Sequence, residues 1–73
     1  MSVTGAIAIR ACEQVEKSGG ARAGLVAWRT LAQNAAEPDV RARALGSAIR
    51  CGISLNDSAA LEEVIALWIS IPA

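Results

Sequence analysis

Read at 100° per residue, the apolar positions of this chain fall into four helical stretches, divided by short runs of glycine, proline and small polar residues. The first is expected at about 4–17. Ser2 or Thr4 can cap it, and Ser18-Gly19-Gly20 ends it, because glycine accepts the positive φ of a helix C-terminus. Ile7, Ala8, Ala11, Cys12 and Val15 share one arc, and Arg10, Glu13, Gln14 and Lys17 the opposite one. The second helix, about 21–36, has the cleanest stripe: Leu25, Trp28, Leu31, Ala32 and Ala35, with Arg22, Arg29 and Gln33 on the other face.

Glu37-Pro38-Asp39 then breaks and restarts the chain, since proline suits the first position of a helix, where its missing N–H is not needed. The third helix, about 39–51, is expected to bury Ala42, Leu45, Ala48 and Ile49, to expose Arg43, Ser47 and Arg50, and to close at Gly52. Gly46 inside it costs about 1 kcal/mol relative to alanine. That fits either close approach of another helix or simple tolerance. Ile53-Ser54-Leu55 reads as a connector, and Asn56, Asp57 and Ser58 supply the cap for a fourth helix at about 58–70. Its core stripe is Leu61, Val64, Ile65 and Trp68. Leu67, Ile69 and Ile71 lie off that stripe, and Pro72 stops the helix. The β-branched run 64–71 is the one place where a strand competes. Connectors this short imply antiparallel neighbours. The expected fold is therefore one all-α domain over residues 1–73, four short helices forming two stacked αα-hairpins.

Composition turns this fold towards a partner. Sixteen of the 73 residues are alanine and two tryptophans are the only aromatics, so helices pack closely but bury little area per residue. A domain of this size buries only about 60% of its unfolded surface. Oligomerisation is a usual remedy, which favours a dimer or an obligate complex. Net charge is zero, which argues against nucleic acid. Residues 21–50 hold five arginines against Glu37 and Asp39, while 51–73 hold only Asp57, Glu62 and Glu63. Such a chain either self-associates head to tail or pairs these charges internally. Cys12 and Cys51 read as buried thiols. Residues 1–5 lack a basic, apolar leader and no apolar run reaches the ~18 residues needed to cross a bilayer, so a cytoplasmic protein is expected.

The chain has no histidine, tyrosine or phenylalanine. Without histidine its serines and threonines lack the commonest activator, and Lys17 sits on a polar face. Glu13 with Glu16, and Glu62 with Glu63, read as solvated helix faces rather than acid–base pairs. Cys12 and Cys51 alone leave zinc two ligands short. Gly19–Gly24 opens a helix as an anion cradle would, but Leu25 and Val26 stand where a phosphate loop has lysine and a hydroxyl residue. A helix-turn-helix over 40–66 would present Asp57, Glu62 and Glu63 to phosphates. No enzyme, cofactor, metal or small-molecule substrate is expected.

The third and fourth helices resemble a tetratricopeptide-type αα-hairpin: Ala42, Leu45, Gly46 and Ile49 take the positions of its first helix, and Ala60, Val64, Leu67 and Pro72 those of its second. The loop is two residues longer than in that repeat and aliphatics replace its aromatics. Asp39-Val40-Arg41 leading into an alanine-rich helix is similar to HEAT-type repeats. Over the whole chain, Gly20-Ala21-Arg22, Ala27-Trp28 and Arg50-Cys51-Gly52 resemble the small tetratricopeptide-like chaperones of bacterial type III secretion needle subunits. That likeness implies an amphipathic needle-subunit helix as partner, with a co-chaperone beside it.

The residues themselves point to an interaction module, adaptor or chaperone-like, that lays a partner's amphipathic helix on an apolar helical surface. The expected anchors are Trp28, Leu61, Val64, Leu67, Trp68 and Ile71, with Arg43 and Arg50 at a polar rim. The alternative is a small regulator, of the phage or antitoxin kind, that blocks a larger enzyme through the Arg22–Arg29 or Arg43–Arg50 face.

Overall fold

The computed structural model describes residues 1–70, and these form three helices: α1 (Val3–Asn34), α2 (Pro38–Ser54) and α3 (Ser58–Ser70). The all-α class holds. The four helices in two stacked hairpins do not, because no loop follows Ser18-Gly19-Gly20: α1 spans 32 residues as two limbs of one element, kinked at Gly20, which alone leaves helical angles, at φ 82° and ψ −175°. That conformation is essentially reserved for glycine, so one residue absorbs the change of direction that a loop was expected to make. A straight helix of this length would run about 48 Å, yet the longest dimension of the molecule is 32 Å. α1 therefore bends back on itself. Across the bend Cys12 Sγ lies 3.5 Å from the Ala27 carbonyl oxygen, and the Trp28 indole N–H donates to Glu16.

The caps explain the other boundaries. Ser2 Oγ accepts the Gly5 N–H at 3.0 Å and starts α1. Pro38 opens α2. Asp57 Oδ1 accepts the Ala60 N–H at 3.0 Å and starts α3, after Asn56 has taken the left-handed φ of 52° that makes the turn. Gly52 does not close α2, which runs on to Ser54. Gly52 instead lets α3 approach, since a Cβ there would lie 2.8 Å from Leu61 Cδ2.

The core is built from Ile9, Cys12, Leu25, Trp28, Ala32, Val40, Ala44, Leu45, Ala48, Cys51, Ala60 and Val64. α2 lies against both limbs of α1 and against α3. Gly5 admits Val40, whose Cγ2 would stand 2.7 Å from a Cβ at that position. The second limb of α1 buries the stripe its sequence advertises. The first limb does not: Gly5, Ile9 and Cys12 face inward, while Ile7, Ala11 and Val15 face outward. α2 buries Ser47 and exposes Ala42, the reverse of the sequence expectation. The phase of α3 is also shifted, with Ala60 and Val64 buried, Leu61 and Leu67 half-buried, and Ile65 and Trp68 at the surface. Among the described residues, no helix is long and apolar enough to cross a membrane.

Candidate interaction surface

The uneven charge of the chain is spent inside the molecule. Arg43 pairs with Glu13 at 3.1 Å, Arg22 with Asp57 at 2.9 Å, and Arg29 with Glu63. Arg50 grips Glu16 through both terminal nitrogens, at 2.6 and 2.7 Å. The acids of the first limb of α1 thus meet the arginines of α2, and the arginines of its second limb meet Asp57, the cap of α3, and Glu63 within it. This is the internal pairing open to the sequence, rather than a head-to-tail attraction of its two halves.

Glu16 is the centre of the one polar knot that reaches the core. Its carboxylate accepts the two Arg50 bonds and the Trp28 indole N–H at 2.9 Å. Those bonds, Arg50 first and Trp28 next, hold its pKa down to about 2. Burial pushes the thiols of Cys12 and Cys51 up, so both stay protonated and unreactive. Among the described residues no three His, Cys, Asp or Glu side chains gather as a metal would require. A groove of about 310 Å³ opens where the start of α1, its end and the start of α2 meet, lined by Thr4, Ala8, Leu31, Asn34 and Val40 among others. That is the lower limit for a ligand site, and the acid at its edge, Glu37, already accepts the Ser2 N–H at 3.0 Å.

The expected anchors divide. Trp28 is 1% exposed and Val64 fully buried, so both hold the fold together and neither can touch a partner while the chain is folded. Leu61 and Leu67 are half-buried against the core, Leu61 beside Gly52. Arg43 and Arg50 are at the surface, engaged with Glu13 and Glu16. Ile71 lies outside the described residues. Trp68 is at the surface, 49% exposed, and beside it stand two residues the anchor set omitted: Ile65 at 48% and Ile69 at 79%. Ile69 was visible to sequence reasoning as off the stripe. Ile65 was hidden, because it was counted as core.

These three residues form the outer face of α3, at the (i, i+3, i+4) spacing that places side chains together. The outward arc of α2 carries Ala42, Gly46 and Ile53, all exposed. A Cβ at Gly46 would meet nothing within 4 Å, so no helix of this chain makes the close approach its glycine permits. Each arc is apolar and, among the described residues, uncovered. No protein-family model, curated protein or solved structure matches the chain, so the tetratricopeptide-like and needle-chaperone resemblances rest on their residues alone.

Proposed function

We propose that this chain is a protein-interaction module that receives an amphipathic helix on the outer face of α3 and the adjoining arc of α2. The observation that carries the reading is the grouping of Ile65, Trp68 and Ile69 in solvent on one helix. Contiguous apolar surface of this kind on a folded domain marks a binding site, and a half-exposed tryptophan between two isoleucines is a suitable anchor. Docking would cover these side chains, with apolar burial as the driving term. The regulator alternative is less favoured, since Arg22, Arg29, Arg43 and Arg50 would have to exchange an acid of the same chain for one of the target.

The test compares the parent chain with an Ile65→Asp/Ile69→Asp variant, each immobilised and exposed to extract of the native host. The expected result is a protein retained by the parent and lost by the variant. Its purified complex should persist in high salt, because screening weakens ion pairs but not apolar burial. Equal retention by parent and variant would overturn the proposal, as would binding that disappears in salt.

A further inference from the structure

The molecule carries a hidden repetition. Its two described backbone positions with positive φ, Gly20 and Asn56, are 36 residues apart. Residues at that offset hold corresponding places in successive helical segments, the first limb of α1 with α2 and its second limb with α3. Buried positions follow the same offset: Ile9 with Leu45, Cys12 with Ala48, Gly24 with Ala60, Trp28 with Val64. The chain is thus two units of one plan, and α2 seats the second unit on the first.

The exceptions to the repetition are more informative than the matches. Ala32 of the first unit is 1% exposed, but its counterpart Trp68 is 49% exposed. Leu25 is buried, and its counterpart Leu61 only half so. At the other end the sense reverses: Ser47 and Cys51 of the second unit are buried, while their counterparts Ala11 and Val15 lie in solvent. Arg43, which reaches back to Glu13, has the exposed Ile7 as counterpart. In each case the covered member, or in Arg43 the paired one, lies at the junction between the units, and the bare member lies at an end. One end is bare where a following unit would sit, the other where a preceding unit would sit. Units of such a stack do not bury their apolar faces alone.

Resting on the reading of α3 as a helix-receiving face, we infer that the helix it receives is the first limb of α1 from a second copy of this chain, so that copies join head to tail. Ile7, Ala11 and Val15 of one copy pack on Ile49 of α2, the counterpart of the Glu13 that Arg43 reaches, and on Leu61, Ile65 and Trp68 of α3 in the next. The occupant is fixed by continuity with the internal junction. The arc of α1 that repeats the seated arc of α2 is apolar, exposed and present in every copy. An interface of this kind is heterologous, and each copy keeps one free end.

Two exposed positions test this without touching the core. Ile7→Asp spoils the entering end and Ile65→Asp the receiving end. Size is read by light scattering, folding by circular dichroism, and the contact by Trp68 emission, since Trp28 is already buried. The parent should associate with rising concentration, with a blue shift from Trp68. Each variant alone should stay folded and monomeric at ten times the parent's midpoint concentration. Mixed, they should form a 1:1 heterodimer that grows no further, because the intact end of each fits the intact end of the other. A parent that stays monomeric, variants that associate like the parent, or a mixture that does not pair would each overturn the inference. If the parent nevertheless retains a host protein that the Ile65→Asp/Ile69→Asp variant loses, the binding face stands and only its occupant is wrong. If it retains none, both fall.

Discussion

Glu16 shows how much one side chain decides. Its partners are twelve and thirty-four residues away, and nothing in its own helix asks for an inward carboxylate. Its pKa is depressed from an ordinary 4.5 to about 2. A depressed carboxylate contributes stability above its unfolded pKa and loses it as pH falls through the folded one. The loss therefore falls between about pH 4.5 and pH 2. It is on the order of 2 kcal/mol once solvent screening of the exposed Arg50 is allowed for. Urea unfolding across that range should show the decline in the parent and a flatter profile in Glu16→Gln, which cannot titrate. A second residue-scale test is Gly24→Ala. Its Cβ would stand 2.6 Å from Glu16 Cγ and 2.8 Å from Glu16 Cβ. The stem of Glu16 cannot yield without loosening its bonds to Trp28 and Arg50. A cost of roughly 1–3 kcal/mol, measured by the same unfolding assay, is expected.

Among the elements, legibility followed how local the deciding contacts are. The second limb of α1 was readable because Leu25, Trp28 and Ala32 carry both the periodicity and the core. The first limb misleads: Ile7, Ala11 and Val15 make the more apolar arc, yet Gly5 wins the inside because Val40 needs its bare backbone. α3 offers too little polar contrast to set a phase from within. Its phase comes from outside, from Gly52 against Leu61 and from Arg29 reaching Glu63. The same blindness misplaced the site, making an anchor of Val64 and core of Ile65. Two glycines of helical stretches make opposite predictions. Gly20→Ala should destabilise by about 1–3 kcal/mol, since its angles exclude a side chain. Gly46→Ala should stabilise the monomer by up to about 1 kcal/mol, as open space surrounds it and a helix interior favours alanine. Thermal unfolding of dilute protein reads both, and the sign separates them.

At the scale of the molecule, the slab of 32 × 30 × 13 Å has an uneven interior. Ile9, Cys12, Leu25, Trp28, Ala44, Leu45, Ala48 and Cys51 concentrate the core between α1 and α2, while α3 adds only Ala60 and Val64 to the fully buried set. Amide hydrogen exchange should therefore release α3 first, with the second limb of α1 and α2 protected longest. A thiol reagent gives an independent check. Cys12 and Cys51 are buried with raised pKa values, so labelling should follow global unfolding rather than the opening of α3. Fast labelling of either thiol in folded protein would show that the core opens more readily than its burial implies.

The bond from Trp28 and the two from Arg50 also set a timetable for the growing chain. As Glu16 leaves the ribosome it has no mate; the indole appears twelve residues later and the guanidinium thirty-four. Thirty-four further residues must be made before the carboxylate has its full set of partners, so a nascent chain stalled before Arg50 would be a ready client for whatever shelters unfinished proteins.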